Sequence, residues 1–389
     1  MNNQTIIFVL FLIASTQIVC IFGQISVMDH AQLNFTLGLL QNLAQNDKSV
    51  ILSPLSVSTS LFMTYLAADG TTKQQLQDVL GGTASVSEFR LHFAKLLVEM
   101  ANVENENYTL NLANRLYVEQ NFPTKESFSR MLQYYHNESL HKFNNRKKDV
   151  FVKEVNEWIS DKTNNKITEL VTADSINDNT KMLLLNSIYF KGTWLSQFLP
   201  QGTRQIDFHI SANRTKKVPM MRNTGHWMYY EDNSVKVIRL PYIGDDIEMV
   251  LILPRIRFGL SNVLQKLTSN NLLRYIRDAK IAHVDLRLPK FELKEKRNLK
   301  EILKKLGITH AFNDSADFTE LTNDTVSVNN VIHAGFIAID EKGTESAAAT
   351  VIDIEDRSFP STEFIADQPF IFLIVQNLKT VLFAGQFVN

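Results

Sequence analysis

Three groups of residues in this chain carry functional groups close enough together to be tested for chemistry. His136 and His141 flank Glu138 in "HNESLH". Two ligands on one helix face need a spacing like that of H-E-x-x-H, and this spacing does not match. They read as surface residues around a glycosylation sequon, and no metal site is expected. Asp245 and Asp246 in "YIGDDIE" lie between strand-like runs and read as a solvated turn. The third group is "EKGTESAAATVIDIEDRSFPS", Glu341 to Ser361. It sets a lone arginine, in the dipeptide Arg357-Ser358, inside an acidic patch after a string of small residues. The chain has no G-x-S-x-G elbow, no H-E-x-x-H and no phosphate-cradling glycine loop. Nothing names a catalytic acid, base or nucleophile, so no enzyme activity and no cofactor are expected.

The stretch before Arg357 has a period of two. Thr344, Ser346, Ala348, Thr350, Ile352 and Ile354 form an uncharged row of small or apolar residues. Glu345, Ala347, Ala349, Val351, Asp353 and Glu355 form the other row and hold every charge. That pattern is a strand with one buried face, narrow enough at its start to enter between strands already packed. The competing reading is a helix start, with Thr344 as cap and "ESAAA" as a good helix former. On composition the two readings are close to even. The β-branched residues and Pro360 that follow favour the strand.

The surrounding elements must hold this segment. Ser53 as cap and Pro54 at the first position open a helix that Gly70 should stop. Leu33, Leu37, Leu40 and Leu43 share one helical face, and Val152, Val155 and Ile159 with Trp158 mark another amphipathic helix. The second half turns to strands. "KMLLLNSIYF", "EMVLILP" and "PFIFLIV" are apolar throughout, as strands covered on both faces are. Val284, Leu286 and Leu288 alternate with polar residues, and a short helix from Asn298 to Leu306 ends at Gly307. A mostly helical first half followed by strands is an α+β pattern with more than one sheet.

At 389 residues, 44% hydrophobic and 21% charged, the chain can bury a core without staples. No linker or repeat divides it, so residues 24–389 read as one domain. A net charge of −1 argues for neither a nucleic-acid nor a membrane-surface partner. The basic run Arg146 to Lys148 reads as a solvated face. "MNNQTIIFVLFLIASTQIVCIFGQ" resembles a secretory signal spanning residues 1–23, although its start lacks Lys and Arg. A signal anchor is the alternative, but Ser15, Thr16 and Gln17 interrupt the apolar run. The one cysteine, Cys20, lies in that leader, so packing alone must stabilise the mature chain. Six sequons after the leader, at Asn34, Asn107, Asn137, Asn213, Asn313 and Asn323, agree with a secreted glycoprotein.

"AGFIAIDEKGTESAAAT" resembles the hinge region of the serpins, the serine protease inhibitor superfamily. "ILSPLSVSTSL", "LLNSIYFKGTW", "LPYIGDD", "LPKFEL", "DQPFIFLIV" and "VLFAGQFVN" resemble the family in family order, across the whole chain after the leader. The resemblance implies about nine helices, three β-sheets and an exposed reactive-centre loop at about residues 341–366. It implies an extracellular monomer that forms a covalent complex with a trypsin-like serine protease. The alternative is a non-inhibitory carrier, storage protein or chaperone. Counted within the family pattern, the scissile bond is Arg357-Ser358, with Glu355 and Asp356 narrowing the target and Phe359 and Pro360 on the primed side. Glu341, Gly343, Thr344, Glu345, Ser346, Ala347, Ala348, Ala349 and Thr350 match the hinge. Ser53, Ser56, Asn186 and His333 match the polar shutter that controls sheet opening. Trp194, Lys290 and Glu341 match the breach, where the hinge first enters, with an implied Lys290–Glu341 ion pair. Lys342 and Ser346 depart from the usual acidic residue and alanine. The helix that binds heparin in some members, here near Ser87 to Asn102, carries only Arg90 and Lys95, so heparin activation is not indicated.

Overall fold

The computed structural model describes residues 25–44, 48–101, 107–244, 246–344 and 362–388. Helix α1 (Val27–Leu43) starts with a reciprocal Ser26–Asp29 capping box and buries Leu33, Leu37, Leu40 and Leu43. Helix α2 (Pro54–Ala67) is buried on every side, and Ser53 Oγ accepts the Ser56 N–H at its start. It ends before Gly70. The Asp69 N–H leaves the helical ladder to donate to Asp317 O, and Gly70, at φ +52°, opens α3 (Gly70–Gly81) instead. The helices α4 (Val86–Ala101), α5 (Glu126–His136), α6 (Lys148–Lys162), α7 (Leu260–Lys266), α8 (Ser269–Arg277) and α9 (Lys300–Leu306) complete nine among the described residues. Gly307, at φ +115°, ends α9 in the left-handed conformation.

The strands in chain order begin with β1 (Val50–Leu52), β2 (Tyr108–Glu119), β3 (His141–Phe143), β4 (Met182–Thr193) and β5 (Arg204–Ser211). Then come β6 (Arg214–Glu231), β7 (Val235–Pro241), β8 (Ile247–Pro254), β9 (Lys280–Pro289) and β10 (Phe291–Asn298). The last are β11 (Asn330–Ile339), β12 (Gly343–Thr344), β13 (Thr362–Ile365), β14 (Phe370–Gln376) and β15 (Thr380–Phe387). A six-stranded sheet runs β10-β11-β12-β4-β2-β3. The rest form a nine-stranded network, β1-β15-β14-β8-β7-β6-β9-β13, with β5 on β6. The 18-residue β6 spans two parts of that network. It pairs with β5 and β9 along Arg214–Tyr229 and with β7 only at Met228–Glu231. The described strands thus form two hydrogen-bonded sheets, the larger of which divides at β6 into two parts.

The first half is less helical than its composition suggests, because β2 is a 12-residue strand. Its alternation is blurred by cover on both faces. Ala113 and Tyr117 pack under α6 with Phe151, Val155 and Ile159, while Leu110 and Leu116 join the main core. The same two-sided cover explains the unbroken apolar run of β4. Leu183 and Leu185 face α6, and Leu184, Ile188 and Phe190 face the main core.

Candidate functional site

The site is the seam between β4 and β11. The two strands pair in parallel from Leu183↔Asn330 to Ile188↔Gly335. Past Gly335 they part, and β12 occupies the opening. Thr344 pairs antiparallel with both Gly192 and Ile339, and Gly343 pairs with Thr193. Gly343 sits at φ +151°, and a Cβ there would lie 2.1 Å from Gly192 O, so only glycine fits. Thr344 is 1% exposed. Its Oγ1 lies 2.6 Å from the buried Tyr242 hydroxyl. The strand reading of the hinge therefore holds at its first residues. The expected exposed loop of residues 341–366 is corrected at both ends. Glu341 and Thr344 are buried, and β13 pairs in parallel with Val284–Arg287 of β9. Backbone pairing satisfies groups that a free loop would leave to water. Glu345, Ser346, Ala347, Ala348, Ala349, Thr350, Arg357 and Ser358 lie outside the described residues.

Where the hinge enters, its backbone is tied at successive residues. Trp194 Nε1 donates to Asp340 O, Trp194 N–H to Lys342 O, and Phe198 N–H to Glu341 O. Trp194 itself stacks on Tyr242 with ring centroids 4.3 Å apart. The Glu341 carboxylate accepts from Lys290 Nζ and from Thr203 Oγ1, each at 2.8 Å. Burial opposes its ionisation, but the Lys290 and Thr203 bonds outweigh burial and hold the carboxyl below the usual range. The Lys290–Glu341 pair thus stands as the resemblance implied. The Lys290 side chain is 45% exposed, which weakens the pair. Lys290→Ala is expected to lower stability by about 1 kcal/mol in denaturant melts. No measurable loss would show the pair to be incidental.

Lower in the seam, Ser53, Ser56, Asn186 and His333 come together as expected. Asn186 and His333 are direct partners in the β4–β11 ladder, and Nδ1 of His333 lies 2.5 Å from Asn186 Oδ1. Nε2 of the same ring accepts the Ser53 N–H at 3.0 Å. A nitrogen that accepts carries no proton, so Nδ1 carries it and donates to Asn186. Sequence reasoning missed Asn114, Thr59 and Ser187. Ser56 Oγ lies 3.0 Å from Asn114 Oδ1 and 3.1 Å from Ser187 O. Asn114 Nδ2 donates to Thr59 Oγ1, and Ser187 Oγ donates to Ala334 O. The signal available was the Ser/Thr-rich α2, whose hydroxyls had to meet partners once buried. Asn186 Nδ2 is buried without an acceptor.

Complete burial pushes His333 down to about 3 from an ordinary value of 6.5. The folded state favours neutral His333, so its contribution is intact above about pH 6.5. It is lost as pH falls from there towards 3, at up to about 1.4 kcal/mol per pH unit. Denaturant melts between pH 6.5 and 5 should give a shallower pH slope for His333→Gln than for the parent. Equal slopes would mean that His333 is not the group being titrated.

All six sequon asparagines are exposed, including Asn34 on α1. His141 pairs with Glu138 at 3.2 Å, while His136 turns towards Phe62. No cluster of three or more metal-ligating side chains occurs among the described residues. Asp246 is not a solvated turn residue, for it accepts from Tyr108 at 2.6 Å and Gln376 at 3.1 Å and so joins β2 to β14. On α4, Arg90 lies over the Tyr65 ring at 5.8 Å. The leader lies outside the described residues. Among those described, no helix is long and apolar enough to cross a membrane.

The family model described as Serpin (serine protease inhibitor) matches residues 30–389. The silkworm Bombyx mori protein named Antitrypsin is 31% identical over 390 residues, covering 98% of this chain and 98% of its own. The crystal structure of Serpin48 from the insect Tenebrio molitor superposes with a TM-score of 0.82 at 29% identity, covering 93% of this chain and 98% of that one. Human thyroxine-binding globulin superposes with a TM-score of 0.84 at 25% identity, covering 93% and 98%.

Proposed function

Since the chain belongs to the serpin family, we propose that it is a secreted, monomeric suicide inhibitor of trypsin-like serine proteases, cleaved at Arg357-Ser358. The observation that carries this reading is the hinge already seated between β4 and β11, antiparallel to both. Continuing the register Thr344↔Gly192 would set residues 345–353 against residues 191–183 of β4. Ser346, Ala348 and Thr350 would then meet Phe190, Ile188 and Asn186, on the side of the main core. The uncharged row of the hinge is the row that this register turns inward. Glu345 would fall opposite Lys191, a favourable cross-strand pair. Asp353 would fall opposite Leu183, under α6, so the charged row is not wholly solvated as expected from its pattern.

The protease serine Oγ attacks the Arg357 carbonyl carbon. The Arg357-Ser358 peptide bond breaks, the Ser358 amine leaves with a proton from the protease histidine, and an ester joins Arg357 to the enzyme. The freed strand then enters the seam. To do so it must part His333 from Asn186, and Thr350 arrives between them with a hydroxyl that can replace the lost bond. Insertion adds roughly ten backbone hydrogen bonds at about 1 kcal/mol each.

Mixing the purified protein with trypsin tests this. A complex that survives a denaturing gel, with release of a peptide beginning at Ser358, is the expected result. Cleavage without a complex would favour the carrier, storage or chaperone reading, to which the likeness to thyroxine-binding globulin lends support. Arg357→Ala should slow trypsin trapping by roughly a thousandfold or more, because the acidic pocket then closes on nothing. Unchanged trapping would place the scissile bond elsewhere. Secretion is tested by sequencing the amino terminus of exported protein, expected near Gln24.

A further inference from the structure

Away from the seam, His226 on β6 and His283 on β9 stand directly opposite each other. They lie in an unbroken antiparallel register from Met220↔Pro289 to Tyr229↔Lys280. Directly paired residues share one face of a sheet, and the two imidazole centroids are 5.4 Å apart. Neither ring hydrogen-bonds to another described residue, and Nδ1 of His283 is buried without a partner. Leaving such an atom unpaired costs about 1–3 kcal/mol, a cost that a ligand reached by rotation of the ring would offset.

We propose that His226 and His283 form a two-imidazole site for a divalent d-block cation, Cu2+, Ni2+ or Zn2+, with water completing the coordination. A metal–nitrogen bond of about 2.0–2.1 Å sets two imidazoles on one ion with centroids roughly 5 Å apart. The observed spacing is within a small ring rotation of that. Histidine χ2 is broad, so either nitrogen can be turned to a shared ion. Asp285, two residues along on the same face, is committed to Arg222 at 2.7 Å and Arg287 at 2.9 Å, and so does not serve as a third ligand. Two imidazoles without carboxylate favour Cu2+ over Ni2+ and Zn2+, and give Mg2+ and Ca2+ no oxygen cage. The site adjoins the carboxyl-terminal anchor of the loop segment. The other edge of β9 receives β13 at Thr362↔Val284, next to His283. A bound ion would therefore clamp β6 to the strand that holds that anchor. This inference does not depend on the proposed inhibitory function.

Calorimetric titration of the full chain with CuCl2, NiCl2, ZnCl2 and MgCl2 tests the site. The expected result is one site in the order Cu2+ above Ni2+ and Zn2+, with no heat from Mg2+. His226→Ala and His283→Ala should each weaken Cu2+ binding by roughly tenfold or more, while His209→Ala leaves it unchanged. His226 is exposed, so its replacement leaves the fold intact and the comparison interpretable. Electron paramagnetic resonance of the Cu2+ form should show two imidazole nitrogens, and one in either alanine variant. Binding that is unchanged in both variants, or a parent spectrum with fewer than two nitrogens, overturns the proposal.

Discussion

Thr344→Arg is expected to turn the proposed inhibitor into a substrate. Thr344 is 1% exposed, and its hydroxyl is 2.6 Å from that of Tyr242, itself fully buried. A guanidinium in that slot would be an unpaired charge against the buried Tyr242, at a cost of several kcal/mol. The hinge would stay out of the sheet, and the remaining fold would lose only the two-residue β12. Trypsin should still cut after Arg357, because that bond is distant in sequence from the change. Insertion, however, would begin by burying the arginine, and deacylation would overtake it. The number of inhibitor molecules consumed per protease trapped should rise by at least about tenfold, each 1.4 kcal/mol of added barrier slowing insertion tenfold. Thr344→Ser, which keeps the hydroxyl, should stay close to the parent. An arginine variant that traps trypsin as economically as the parent would sink the argument that this row is buried.

Cutting the chain within residues 345–361 should raise its melting temperature. The intact fold holds β4 and β11 apart above Gly335, with a two-residue wedge where a full strand could lie. Once released at one end, the segment can follow Thr344 down the seam and pair on both sides. About ten new hydrogen bonds amount to some 10 kcal/mol before any gain from burying Ala348 and Ile352. At roughly 2 °C per kcal/mol or somewhat less for a chain this long, the shift is on the order of 10–20 °C. Scanning calorimetry of intact and nicked protein measures it directly. A nicked chain that melts at or below the intact one would falsify the proposal that the native fold is metastable.

How much of this was legible beforehand depended on distance along the chain. The Ser53 cap, the double-faced apolar strands and the alternation from Thr344 to Ile354 are local patterns, visible in windows of ten residues or fewer. The breach ion pair joins residues 51 apart, and only the resemblance placed it. The long strand β2 was hidden because α6 covers polar positions on one of its faces. Arg115 lies over the Trp158 ring at 4.2 Å, where a period-two reading expects solvent. Asp246 was misread for a related reason, since a carboxylate in a turn carries no mark of the tyrosine and glutamine that reach it from other strands.

By itself, the sequence determined which hinge residues are small, which carry charge, and that an arginine–serine bond follows them. Side-chain size and charge belong to each residue wherever it lies. Only the tertiary structure decided that His333 and Asn186 pair across the seam and that Thr344 sits in its opening. Only it decided the register that would bring Thr350 between that closed pair, and the opposition of His226 to His283. Those relations are set by strand pairing across hundreds of residues. Pairing is selected by how whole faces pack, which no short window of sequence contains.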